Sequence, residues 1–172
     1  VEPETDLPDE IRIDLDFASW PFVEPIATNE SQTAANYAGD TYTYRYDYET
    51  GGEQKTKELQ FFIRHNGVIY THSDGALRPG DTDKTRMTLP AISGRYIRAV
   101  RMEVGNAYAK SFRLNKMDWT ELVTSSGAVT DAPALLSFPT EDGVISESGV
   151  SYYMYFINKS TVIKKISILY SK

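Results

Sequence analysis

The stretch that decides the fold is Thr41–Tyr48, which reads TYTYRYDY, so that every second residue is a tyrosine. Successive side chains of a β-strand point to opposite faces of the sheet, and this period places all four rings on one face. A helix would distribute the same rings around its axis. The pattern therefore predicts a β-strand with one aromatic face and one polar face.

The same two-residue period recurs on both sides of this strand, while helical periodicity is nearly absent. Ile11–Phe17 alternates apolar with charged residues, which is typical of a half-buried strand. Residues 58–72 contain two apolar runs separated by Asn66-Gly67, a dipeptide that favours a tight turn. We expect these residues to form a β-hairpin.

The second half of the chain continues the pattern. In Tyr96–Val104 the apolar parity changes near Arg98-Ala99, which predicts a β-bulge. About ten short strands in all predict an all-β fold, an antiparallel two-sheet β-sandwich of jelly-roll type. The remaining strands are predicted at residues 86–89, 110–114, 119–123, 134–138, 151–158 and 162–170.

The 172 residues suit one domain, and no Gly/Ser-rich linker divides them. Residues 1–10 hold five acids and two prolines, and we expect them to form a flexible acidic leader. Residues 11–172 are expected to form the single β-sandwich domain.

Composition excludes several functional classes. A net charge of −6 provides no electrostatic footprint for nucleic acid. No run of apolar residues is long enough for a transmembrane segment. The absence of cysteine excludes disulfides and thiolate zinc sites, and only two histidines are available for catalysis or metal binding. No cofactor is predicted.

Three stretches together carry a family resemblance: residues 13–22 (IDLDFASWPF), 88–100 (TLPAISGRYIRAV) and 162–170 (VIKKISILY). The chain resembles the secreted or lipid-anchored, jelly-roll-like β-sandwich proteins of gut Bacteroidetes, for which a carbohydrate-binding role is suspected. The resemblance implies a secreted, outer-surface or periplasmic location, with a lipid anchor ahead of residue 1 as one option. It identifies no site residue.

The tyrosines at 42, 44, 46 and 48 form the most distinctive candidate site, a tyrosine ladder that spans about 20 Å along the strand. A row of aromatic faces can stack on sugar C–H groups while phenol hydroxyls supply hydrogen bonds. The alternative is that the ladder faces the core, since its opposite face carries solvent residues such as Arg45 and Asp47. The pattern favours the core, and both interpretations stay open. The ladder residues are Tyr42, Tyr44, Tyr46 and Tyr48.

The two tryptophans are further candidates. Trp20 precedes Pro21-Phe22, and such a residue is more typical of a hydrophobic plug at one end of the sandwich than of a ligand stack. Trp119 alternates with Met117 and Glu121 in a predicted strand, which indicates a packed side chain. Both stay candidates for ligand binding.

Tyr153 and Tyr155 share one face of the strand predicted at 151–158, opposite Tyr152 and Met154. Both faces cannot be equally buried unless the strand is covered on both sides. We expect Tyr153 and Tyr155 to form the more exposed pair and to contribute to ligand binding.

Metal and catalytic sites find little support. Asp74, Asp81 and Asp83 lack the spacing of a known calcium loop, and a solvated turn is favoured. The sequence contains no nucleophile elbow of the Gly-x-Ser-x-Gly type. His72-Ser73 precedes Asp74, but adjacent side chains on a strand point apart and do not make a triad. We predict that the protein is not an enzyme.

The sequence therefore favours a non-catalytic, secreted or cell-surface module that binds carbohydrate through tyrosine and tryptophan stacking. The first alternative is a structural or protein-interaction module that contacts other cell-surface proteins. A glycan-processing enzyme domain is the second.

Overall fold

The computed structural model of the chain describes residues 6–20, 37–66, 77, 86–104, 112–124, 134–137, 146–156 and 163–172. Within these ranges every regular element is a strand, and no helix in them is long and apolar enough to span a bilayer. The strands are β1 (Glu10–Asp16), β2 (Tyr37–Thr50), β3 (Glu53–Asn66), β4 (Arg86–Leu89), β5 (Tyr96–Val104), β6 (Phe112–Lys116), β7 (Glu121–Thr124), β8 (Ala134–Ser137), β9 (Tyr152–Phe156) and β10 (Ile163–Ser171).

The strands form two antiparallel sheets. The four-stranded sheet has the order β1-β10-β5-β8, and the six-stranded sheet has the order β2-β3-β4-β9-β6-β7. The first strand, β1, pairs along its whole length with β10, from Glu10 opposite Ser171 to Asp16 opposite Lys165. The predicted all-β, antiparallel two-sheet fold is confirmed.

One hydrophobic core lies between the sheets, and both contribute to it. Ile13 and Leu15 of β1 are fully buried, as are Phe61 and Ile63 of β3. Their neighbours in each strand point away from the core, as a two-residue period requires. Full burial of one such side chain stabilises the fold by about 1.5–3 kcal/mol.

The predicted β-bulge is present, and β3 also takes part in a hairpin that the sequence pattern did not predict. Leu169 pairs with Ala99 and Tyr170 with Ile97, so Arg98 is the extra residue of a bulge, as predicted. The predicted hairpin over 58–72 is only partly described, because residues 67–72 lie outside the described ranges. The described β3 instead forms a hairpin with β2 through Gly51-Gly52, both with positive φ.

The described part of the expected leader is docked on the domain. Leu7 is 4% exposed and belongs to the core, and Glu10 already begins β1. The buried guanidinium of Arg95 donates to the carbonyl oxygens of Leu7 and Pro8 at 2.8 Å and to that of Ser93 at 3.0 Å. The expected flexible leader therefore does not extend to residue 10.

Candidate ligand-binding site on the outer face of the six-stranded sheet

The tyrosine ladder lies on the inner side of β2. Tyr42 is opposite the buried Phe61, and Tyr44 is opposite the buried Leu59. All four rings are half-buried and pack against the core, whereas Arg45 and the other residues of the opposite face are exposed. The ladder covers the side of the core at which β2 forms the edge of its sheet.

Trp20 is the residue that closes this side. Its indole packs edge-on against Phe61, Tyr42 and Tyr44, with ring centroids 5.6, 6.2 and 6.3 Å away. Its Nε1 donates to the carbonyl oxygen of Thr43 at 2.9 Å. These contacts correspond to a hydrophobic plug, the interpretation that the sequence favoured.

The Tyr48 end of the ladder contacts the N-terminal segment. Tyr46 and Tyr48 stack with centroids 5.9 Å apart, and the Tyr48 hydroxyl donates to Asp6 Oδ2 at 3.1 Å. Lys55 contacts the same carboxylate at 3.2 Å, and hydrogen bonds from Lys55 and Tyr48 lower the pKa of Asp6. The ladder is thus engaged within the molecule, as an internal face of the fold.

A second aromatic group lies on the opposite, outer face of the six-stranded sheet. Tyr153 and Tyr155 are partly exposed on β9, whereas Tyr152 and Met154, which alternate with them, are buried. The expectation that Tyr153 and Tyr155 form the more exposed pair is confirmed. Both residues lie on the face of the six-stranded sheet that points away from the four-stranded sheet in the described part of the chain.

The prediction that Trp119 is packed within a strand is wrong. β6 ends at Lys116 and β7 begins at Glu121, so Trp119 lies in the turn between them and is 49% exposed. Its backbone amide donates to the Lys116 carbonyl at 2.9 Å, and its φ is 72°. The alternation with Met117 therefore reflects a turn, because a residue with left-handed φ cannot continue a strand.

The turn folds the indole back over the sheet. Trp119 stacks on Tyr153 with centroids 4.9 Å apart at 30°, and meets Tyr155 edge-on at 6.1 Å. The guanidinium carbon of Arg86 lies 4.9 Å from the Trp119 ring centroid and 4.9 Å from that of Tyr153. Two rings and one cation thus form a compact group in which the indole keeps an exposed side.

Cross-strand pairing adds polar side chains around this group. Arg86 is opposite Tyr155, which is opposite Arg113 on β6. Tyr153 is opposite Asn115. Asn115 lies on the outer face by alternation with the buried Leu114, yet the residue is only 7% exposed. We call this surface the aromatic–arginine patch, consisting of Arg86, Arg113, Asn115, Trp119, Tyr153 and Tyr155.

The electrostatics of the patch are those of a partly desolvated cationic surface. Partial burial and the neighbouring charge of Arg64 both lower the pKa of Arg86, which nevertheless stays protonated. Arg113 Nε lies 3.6 Å from a carboxylate oxygen of Glu121. The arrangement can stack on a planar or weakly polar ring and donate several hydrogen bonds.

Three members of the patch were not singled out by the sequence. Arg86, Arg113 and Asn115 occupy outward positions of β4 and β6, which alternation alone could have indicated. Their meeting with Tyr153 depends on the strand order β4-β9-β6, which joins segments distant in the chain.

Among the side chains that the structure describes, no group of three or more His, Cys, Asp or Glu residues could hold a metal ion. The acidic loop with Asp74, Asp81 and Asp83 lies outside the described ranges, as does His72.

The fold and the site define a class of protein: a two-sheet antiparallel β-sandwich with an aromatic and cationic patch on one outer sheet face. No protein-family model matches the chain. No curated protein matches it either.

Proposed function

We propose that this protein is a non-catalytic, secreted or cell-surface module that binds carbohydrate at the aromatic–arginine patch. The observation that carries the proposal is the exposed indole of Trp119, held over Tyr153 by a turn in which its backbone adopts a left-handed conformation. A non-glycine residue in this conformation is uncommon, and such positions cluster at functional sites.

The chemistry of the patch suits a sugar ring. The axial C–H groups of a sugar pack on an indole face, and its hydroxyl groups need donors and acceptors beside that face. Arg86 and Tyr155, which are partly exposed cross-strand neighbours, supply these groups beside Trp119. Each contact is small, so we expect weak binding that becomes useful when several sites act together.

The structure favours the patch over the tyrosine ladder as the binding surface. Tyr44 packs on Trp20 and Phe61, and Tyr48 holds Asp6, so these rings already have partners within the molecule. A ligand on the ladder would have to displace them. The patch requires no such rearrangement, because half of the Trp119 surface is already exposed.

The test compares two substitutions in one turn. Trp119→Ala removes the stacking ring, whereas Met117→Ala removes a side chain that is similarly exposed (46%) but outside the ring stack. Wild type and both variants are screened on a glycan array and then in native gels that contain the retained polysaccharides. We expect Trp119→Ala to abolish retention and Met117→Ala to preserve it.

A second candidate function, contact with another protein, is favoured by the run of exposed apolar side chains along the β6–β7 edge. Met117, Trp119 and Leu122 are all exposed there. If the array shows no retained glycan, or if Met117→Ala weakens retention as much as Trp119→Ala does, the carbohydrate proposal is wrong and this apolar edge becomes the better explanation.

A further inference from the structure

The buried side-chain polar atoms that lack a hydrogen-bond partner are not scattered over the described part of the molecule. Three buried side-chain atoms there have no hydrogen-bond partner: Arg86 Nε, Arg113 Nε and Asn115 Oδ1. All three belong to the aromatic–arginine patch, on β4 and β6 on either side of β9. Buried polar atoms are nearly always paired in native proteins, and a cluster of exceptions requires a specific reason.

We infer that the ligand of the patch is an acidic saccharide, whose carboxylate or sulfate group is held by Arg86 and the neighbouring guanidinium groups. The inference rests on the proposed function and specifies its ligand class. Two of these atoms are N–H donors and the third is an amide oxygen. The Arg113 donor has the Glu121 carboxylate beside it at 3.6 Å, which is beyond hydrogen-bond distance, whereas Arg86 has no such carboxylate among the described residues. Because these atoms are themselves buried, an anion would bind the partly exposed guanidinium groups of Arg86 and Arg113, whose several N–H donors suit a carboxylate or sulfate.

The local charge supports an anion. One cross-strand row of the outer face carries Arg64, Arg86 and Arg113. Among the described side chains of this row and the next, Glu121 is the one carboxylate, and it lies beside Arg113. Because the chain as a whole carries −6, this cationic row is a local feature and does not reflect the overall charge.

Arg86 is the residue best placed to hold the anion. Among the described residues no carboxylate forms an ion pair with it, and its guanidinium is positioned by the rings of Trp119 and Tyr153. Ring stacking fixes the plane of a guanidinium but leaves in-plane N–H donors available. A sugar ring on the exposed side of the indole would bring its acidic group next to these donors.

The test measures retention in native gels on chemically matched polymers. Dextran sulfate is compared with dextran, and polygalacturonate with its methyl ester, so that each pair differs in the anionic group. Polyglutamate serves as an acidic polymer without sugar. We expect retention on one or both acidic polysaccharides, weakened by added salt because screening reduces charge attraction. The polymer that is retained identifies the anionic group.

Arg86→Gln and Arg113→Gln remove a charge from the patch, and Arg101→Gln removes an exposed charge from the outer face of the other sheet as the matched control. Thermal melts verify that each variant folds. Loss of a charge-assisted hydrogen bond is expected to weaken retention on the acidic polysaccharide about tenfold or more for Arg86→Gln. Arg101→Gln should retain the wild-type value.

The outcomes separate the inference from the proposed function. Equal retention on neutral and acidic polysaccharides overturns the inference and leaves carbohydrate binding in place. No retention on any polysaccharide overturns both. Stronger retention on polyglutamate than on the acidic polysaccharides would indicate an acidic peptide as the ligand and overturn the inference. Equal losses of retention in the Arg86 and Arg101 variants would also overturn it. If the patch variants fail to fold, the inference is tested on the wild type alone, by its preference for acidic over neutral polysaccharides and by the salt dependence of its retention.

Discussion

The indole of Trp119 and the phenol ring of Tyr153 lie 4.9 Å apart at an angle of 30°, although one residue belongs to a turn and the other to a strand. This contact holds Trp119 at a φ of 72°, a conformation that costs a non-glycine residue about 1–2 kcal/mol. The aromatic stack therefore offsets backbone strain and keeps a large ring partly in water.

The first prediction concerns that strain. Trp119→Gly is expected to be more stable than Trp119→Ala by about 1 kcal/mol, because glycine adopts positive φ without steric conflict and alanine does not. Urea denaturation of both variants measures the difference. At Met117, whose φ is not positive, the order should reverse. A more stable alanine variant at Trp119 would contradict the assigned backbone conformation.

The second prediction concerns the tyrosine ladder. Tyr44→Ala removes a half-buried ring that packs on Trp20 and Phe61, and we expect a loss of about 2 kcal/mol in the free energy of unfolding. Thr41→Ala, on the exposed face of the same strand, should be nearly neutral. Retention on polysaccharide below the melting temperature should be unchanged. A stable Tyr44→Ala variant without retention would move the site to the ladder.

The third prediction concerns the docked N-terminal segment. Arg95→Met leaves the carbonyls of Leu7, Pro8 and Ser93 without the donors that they have now, and we expect a loss of about 3 kcal/mol or more. Arg101→Met, at an exposed position, should stay within about 0.5 kcal/mol of wild type. Urea denaturation gives both values, and similar losses for the two variants would refute a special role for Arg95.

The fourth prediction concerns alkaline pH. Tyr170 is buried, donates to the Pro90 carbonyl at 2.8 Å, and has its pKa raised well above its usual range by burial. Above about pH 10 the unfolded state releases the phenol proton and the folded state retains it, so stability falls by up to about 1.4 kcal/mol per pH unit. Below that pH this contribution is fully present.

Tyr170→Phe tests this linkage. The variant should lose about 1–2 kcal/mol at neutral pH, because the Pro90 carbonyl loses its donor. Its unfolding free energy should then fall less steeply above about pH 10 than that of wild type. Some slope should remain, since burial also raises the pKa of Tyr44 and Tyr46. Parallel pH profiles would show that Tyr170 does not control alkaline stability.

The strands were predictable to the extent that one face of each is buried. Residues 86–89 and 96–104 match β4 and β5, because there apolar residues alternate with polar ones. The prediction was wrong at Trp119, which lies in a turn with positive φ although its spacing from Met117 and Glu121 is that of a strand. Alternation is a short-range property, and it cannot distinguish one residue of a strand from one residue of a folded-back turn.

The period-two pattern by itself determined that this chain forms antiparallel sheets, and it determined which rings share a face: Tyr42 with Tyr44, and Tyr153 with Tyr155. The pattern also favoured which face meets the core, but tertiary structure alone decided which neighbours each ring acquires. The physical reason is that strand order is set by packing of the whole core, which placed β9 between β4 and β6. Only this order brings Arg86 to Trp119.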